Sequence, residues 1–148
     1  MKHLLIVDRN PHFRRLLQET MWTAADVQAV AELGTAQEAL RRVPVDLVVV
    51  NAWFGGDEVV EFARSTMAGG RPPRVVAYGD AIDAPLARAL QRVGAFCESR
   101  ARIRYALPGY LAADLPVLDR RNPELPDRRY AYRGGRRASD IPTTIGLR

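Results

Sequence analysis

Asn51 closes the run Val45-Asp46-Leu47-Val48-Val49-Val50, which is entered through Pro44 and left through Trp53-Phe54-Gly55-Gly56. A short stretch this rich in β-branched residues reads as a strand covered on both faces, the central strand of a parallel α/β sheet. In such sheets ligands and chemistry gather just beyond the carboxyl ends of the strands, so Asn51 stands where a functional side chain is expected. Other reactive types are sparse. His3 and His12 lack the cysteines or acids that a metal centre needs, and they read as surface or strand-end residues. Gly55-Gly56 and Gly69-Gly70 lack dinucleotide or phosphate-loop spacing and read as turns. No serine, histidine and acid arrangement suggests a hydrolase. The single cysteine, Cys97, excludes an intramolecular disulfide and reads as a buried structural thiol beside Phe96. Trp22 and Trp53 are expected to pack in the core or at strand ends. The protein is therefore not expected to be an enzyme, and no metal or cofactor is expected.

The elements that would position Asn51 alternate along the chain. His3 to Asp8 is a first strand, and Asn10 can cap a helix whose first position is Pro11, with Phe13, Leu16, Leu17 and Met21 along one face. Val27 to Ala31 is a second strand, and Thr35-Ala36-Gln37-Glu38 matches a capping box that opens a helix ending at Arg41-Arg42. After the central strand come a helix over 57–67, a strand over 74–78, a helix from Asp83 to Arg92, and a fifth strand led by Gly94-Ala95-Phe96-Cys97. A last helix spans 103–113, with a break or restart predicted at Pro108, where proline removes a hydrogen bond and clashes with the preceding turn. Alternating strands and helices without hairpin signals predict right-handed crossovers with helices on both faces. The expected fold is a flavodoxin-like, doubly wound, five-stranded parallel sheet of order 2-1-3-4-5.

At 148 residues and 47% hydrophobic content, the chain suits one core plus a tail. The boundaries expected are 1–115 for the folded domain and 116–148 for the tail. The apolar run at the start is far shorter than a membrane span and lacks a signal-peptide cleavage site, so membrane insertion is not expected and a cytoplasmic location is. Of the 22 basic residues only Lys2 is lysine. Eight arginines stand against four acids after Pro116, so most of the net charge of +5 belongs to the tail.

The stretch from Leu4 to Arg15, Leu-Leu-Ile-Val-Asp-Arg-Asn-Pro-His-Phe-Arg-Arg, resembles the opening of a response regulator receiver domain. The resemblance continues through Pro44 to Asn51 and through Val93-Gly94-Ala95, covering residues 1 to 115. It implies two-component signalling chemistry, in which an aspartate takes a phosphoryl group beside a magnesium ion, a small hydroxyl residue senses it and a lysine neutralises charge. The matching positions here depart from that pattern. Asn51 stands at the nucleophile position, and an amide offers no carboxylate to form an acyl phosphate. Asp8 is kept, but Arg9 replaces the second acid and would repel a divalent cation. Tyr78 stands where the small hydroxyl residue is expected, and Arg100 is the nearest match to the lysine. Asp57 fits its position, and its use as an alternative acceptor would require an unusual pocket. The resemblance thus implies a degenerate pocket of Asp8, Arg9, Asn51, Asp57, Tyr78 and Arg100, locked rather than switched. Arg9 either pairs with Asp8 and bonds the Asn51 carbonyl, replacing the metal, or points into solvent.

In the tail, arginine pairs recur every eight residues: Arg120-Arg121, Arg128-Arg129 and Arg136-Arg137. Prolines and few aliphatic residues predict an extended or disordered segment. Its arginines, with Arg133, could bind nucleic acid through phosphates while Tyr130 and Tyr132 stack on bases. They could equally dock on an acidic protein or an anionic lipid surface, or simply keep the chain soluble. Two functions therefore stand side by side. One is a phosphorylation-independent receiver-like module acting by protein contact, with homodimer formation left open because Pro108-Gly109 alters the relevant surface. The other is a small nucleic-acid-associated protein binding through its tail.

Overall fold

The computed structural model describes residues 1–112. The expectations for the 116–148 tail, including its extended form and the binding roles of its arginines and tyrosines, lie outside the described residues.

Five strands and five α-helices alternate: β1 (His3–Val7), α1 (Pro11–Met21), β2 (Asp26–Val30), α2 (Leu33–Arg42), β3 (Leu47–Asn51), α3 (Gly56–Met67), β4 (Arg74–Gly79), α4 (Ala84–Arg92), β5 (Phe96–Ser99) and α5 (Arg100–Ala112). A 3-10 turn, Ala52–Phe54, joins β3 to α3. All strand pairs are parallel, in the order β2-β1-β3-β4-β5, the flavodoxin-like order expected from the sequence. Leu47, Val48, Val49 and Val50 are fully buried, as a strand covered on both faces requires.

Side chains alternate across the strands and divide the core in two. Leu5, Val7, Val48, Val50, Val75 and Ala77 meet Ala36 and Ala39 of α2, Val59, Phe62 and Ala63 of α3, and Leu90 of α4. Leu4, Ile6, Leu47, Val49, Val76 and Tyr78 meet Leu17 and Met21 of α1 and Ile103, Leu107 and Leu111 of α5.

Local signals near helix starts are obeyed where the capping atom is close in sequence. Asn10 accepts from the backbone N–H groups of His12 (2.9 Å) and Phe13 (3.2 Å), and Asp83 accepts from that of Leu86 (2.9 Å). The predicted capping box at Thr35 is not formed. Helix α2 starts earlier, at Leu33, with Glu32 as its cap residue and no side-chain cap bond. Leu33 packs against the core, which draws the first turn upstream, while Glu38 is held by Arg41 and Arg42.

The predicted break at Pro108 is also absent, because α5 runs through it. An interior proline costs about 3 kcal/mol, whereas each buried side chain of the Ile103, Leu107 and Leu111 stripe contributes roughly 1.5–3 kcal/mol. The last turn is further held by two cations, one just before β1 and one at the start of β4: Lys2 Nζ donates to the Leu111 carbonyl at 2.8 Å, and the Arg74 guanidinium donates to that of Tyr110. Trp22 and Trp53, expected to be packed, are instead 76% and 72% exposed. Trp22 caps the end of α1 and Trp53 lies within the 3-10 turn after β3, where the chain turns before a ring can be covered. Cys97 lies on the edge strand β5, partly exposed as a residue while its thiol is enclosed against the core. His3 pairs with Asp26 at 3.3 Å across the start of the sheet, the strand-end role expected for it.

Candidate functional site

Three adjacent strands deliver Asp8, Asn51 and Tyr78 to one place. Val7 is level with Val50, and Asn51 is level with Tyr78, so Asp8, one residue beyond β1, comes beside both. By strand alternation Asp8 follows Leu4 and Ile6, Asn51 follows Leu47 and Val49, and Tyr78 follows Val76. All three side chains therefore turn towards the α1 and α5 face of the sheet.

Asp8 is 2% exposed, and both carboxylate oxygens are occupied. Oδ1 accepts the Asn10 backbone N–H at 2.9 Å. Oδ2 accepts the Asn51 side-chain amide at 3.2 Å and also the Tyr78 hydroxyl. A buried carboxylate is tolerated only when donors replace its lost water, and these three do so. Asn51 uses both ends of its amide, since its Oδ1 accepts the Trp53 N–H at 2.8 Å and caps the 3-10 turn. The Tyr78 hydroxyl is held far above the ordinary tyrosine value, chiefly by burial and then by the bond to Asp8 and its charge, with Arg100 opposing. It is therefore a fixed neutral donor. Its ring lies 5.4 Å from that of Phe13 on α1.

The cations lie around this trio rather than in it. Arg9 does not pair with Asp8 or bond the Asn51 carbonyl, as one expectation had it. Its guanidinium meets Glu32 Oε1 at 3.1 Å and lies 4.8 Å above the Phe54 ring. As the other expectation had it, the side chain lies mostly in solvent, 62% exposed, where Glu32 and Phe54 hold it at the surface. With the Asp8 oxygens already satisfied, Glu32 at the start of α2 is the acid left for it to pair with. Arg14, four residues into α1, donates to the backbone carbonyls of Asp8 (2.8 Å) and Arg9 (3.2 Å) and ties the strand end to the helix. Arg100 begins α5, reaches Asp80 at 3.6 Å and lies 4.6 Å above the Phe13 ring. Asp57 is exposed in the first turn of α3, where it suits the positive end of the helix, and it makes no hydrogen bond to the trio. Thus three of the six sequence-derived positions converge, while Arg9 and Arg100 rest on the neighbouring rings of Phe54 and Phe13 and Asp57 stands exposed at the start of α3.

A magnesium ion, which the receiver resemblance implies, does not fit these residues. Asp8 supplies the one carboxylate, its oxygens are taken by three donors, and among the described residues no three histidine, cysteine or acidic side chains come together. Two residues that shape the site carry no chemical signal of their own in the sequence. Phe13 reads there only as part of an amphipathic face, yet it touches both Tyr78 and Arg100. Glu32 lies 23 residues from the arginine it holds.

No family model matches this sequence, and no curated protein matches it. Solved structures do match. A response regulator from Thermotoga maritima superposes with a TM-score of 0.68 at 16% identity, over 76% of this chain and 99% of that one. The isolated REC domain of RcsB from Salmonella enterica serovar Typhimurium, in its apo form, gives 0.64 at 8% identity, over 87% and 94%. The chemotaxis response regulator CheY4 of Vibrio cholerae gives 0.64 at 15% identity, over 75% and 99%. The chain has the fold of a response regulator receiver domain.

Proposed function

We propose that this receiver-fold chain is a non-enzymatic signalling module that works by protein contact and needs no phosphorylation. One observation carries the reading: the pocket at the strand ends is closed from within, because the Tyr78 hydroxyl and the Asn51 amide both donate to buried Asp8. Acyl-phosphate chemistry needs a free carboxylate as nucleophile and a cation to offset phosphoryl charge. Here the residue at the nucleophile position is an amide, and the one buried carboxylate is enclosed by donors. Tyr78 is also too large, and too deeply packed against Phe13, to make the small inward movement of a threonine or serine hydroxyl. The pocket therefore acts as a fixed polar clamp joining the ends of β1, β3 and β4, and the surface above it is held in one state. The receiver fold supports signalling by protein association, and no described helix is long and apolar enough to cross a membrane.

The test is intact-mass analysis of the full chain after incubation with acetyl phosphate and magnesium, beside an Asn51→Asp/Tyr78→Thr double variant. The wild type is expected to gain no phosphoryl adduct, with the double variant as the form in which nucleophile and hydroxyl are restored. A hydroxylamine-labile adduct on the wild type would overturn the reading and direct attention to Asp8 or Asp57 as the acceptor.

A further inference from the structure

We propose that the groove between α1 and α5 is a docking site for an acidic segment of a partner protein, one in which aspartates or glutamates flank a leucine or an aromatic residue. This rests on the contact-module reading above and names the surface and the partner's chemistry. The groove holds about 380 Å³ and is lined by Phe13 and Leu16 of α1, Asp80, and Arg100, Arg104 and Tyr105 of α5, with Ala101 between the two arginines. Its floor is apolar and its rim is cationic. Tyr105 stands 76% exposed on the rim, a large amphipathic side chain of the type that dominates protein interfaces when covered.

Charge decides the class of occupant. Helix α5 carries Arg100, Arg102 and Arg104 and no acidic residue along its length. Arg102 is engaged by Glu98 and Arg100 by Asp80, while Arg104 meets no carboxylate among the described residues and lies 5.7 Å from the Tyr105 ring. Guanidiniums resting on aromatic rings are weakly hydrated and partly ordered, which suits them to take a carboxylate in bidentate fashion. A nucleic acid is the poorer fit. A short concavity with an apolar floor accepts one apolar side chain flanked by carboxylates better than a continuous phosphate backbone.

The groove is joined to the closed pocket through one ring. Phe13 packs on Tyr78 at 5.4 Å below and receives Arg100 at 4.6 Å above. The tyrosine that closes the pocket thus also supports the groove floor, so the site is formed constitutively, without a phosphoryl signal.

The experiment pans a phage-displayed random dodecapeptide library on the full chain, then measures a synthesised, fluorescein-labelled winner by anisotropy. Enriched peptides are expected to carry at least two acids around a leucine or aromatic residue. Affinity is expected to fall roughly tenfold or more for Arg104→Glu and for Tyr105→Ala. It should hold within about twofold for Arg88→Glu on α4, a control with the same change in net charge. Peptides without the acidic signature, or acidic peptides indifferent to Arg104→Glu because they bind the arginine-rich tail, would overturn the proposal. So would a single-stranded oligonucleotide whose binding depends on Arg104 while no peptide's does. Each titration is repeated with acetyl phosphate and magnesium. Groove-dependent binding seen only then would keep the surface but sink the phosphorylation-independent reading, whereas no groove-dependent binding and no adduct would sink the surface and leave that reading standing.

Discussion

The two faces of the sheet solve different problems with the same strands. Under α2, α3 and α4 the buried residues are apolar throughout, with small alanines at 36, 39, 63 and 77 letting the layers approach. Under α1 and α5 the aliphatic core continues to the ends of the strands and then gives way to Asp8, Asn51 and Tyr78, and Asp8 is the one charged residue recorded as buried among the described residues. The difference teaches where this protein can tolerate change. The first face holds the fold, and the second combines the fold with a polar clamp and the groove above it.

The largest effect that can separate the faces is a cavity in the first one. Phe62→Ala on α3 removes a fully enclosed ring and is expected to cost about 3–5 kcal/mol in urea unfolding. Retention of groove-dependent peptide binding below the unfolding transition would sharpen the division, and its selective loss would break it. Next in size is Tyr78→Phe, which keeps the ring against Phe13 and deletes only the hydroxyl that bonds Asp8. Leaving a buried carboxylate short of a donor costs about 1–3 kcal/mol. A Tyr78→Phe protein as stable as the wild type would show that the clamp contributes nothing.

A smaller, pH-dependent effect follows from the same hydroxyl. Burial and Asp8 hold the Tyr78 pKa above its ordinary value of 10.0 in the folded state. Tyr110 is raised likewise, chiefly by burial and then by the charge of Glu98 and its hydrogen bond to that residue. Above that ordinary value the unfolded chain loses protons that the folded chain keeps, so the contribution is intact at lower pH and stability falls as pH rises. Urea midpoints taken between about pH 8 and about pH 11 should decline, and Tyr78→Phe should flatten part of that decline. An unchanged slope in the variant would place the effect on Tyr110 and on Cys97, whose thiol is raised likewise. The smallest perturbation is at Cys97, whose thiol burial pushes up to about 12. Iodoacetamide at neutral pH should label the native chain at least ~100-fold more slowly than the urea-unfolded chain, with no loss of stability until it reacts.

Much of the fold is legible because its signals are local. Asn10 and Asp83 cap helices two or three residues away, and the unbroken apolar Leu47 to Val50 run marks the central strand, buried on both faces. The failures are equally particular. Thr35 and Glu38 have the spacing of a capping box, yet Leu33 gains more by packing and Glu38 more by pairing. Pro108 carries a strong local penalty that the stripe below it and the two cations at the helix end outweigh. Trp22 and Trp53 are apolar by type and exposed by position, since residue type does not say which side of a turn is covered.

From the sequence alone came the alternation of elements, the amide at position 51 and the arginine at position 9. Those are matters of residue identity and short-range pattern, and the alternation suffices to indicate a receiver-like fold. What occupies Asp8 was decided only in three dimensions. Asn51 and Tyr78 lie 43 and 70 residues from it, and they meet it because the register of β1, β3 and β4 brings three strand ends level on one face. Arg9, adjacent to Asp8 in the chain, turns to Glu32 instead, because the nearer carboxylate is already satisfied by Asn10, Asn51 and Tyr78.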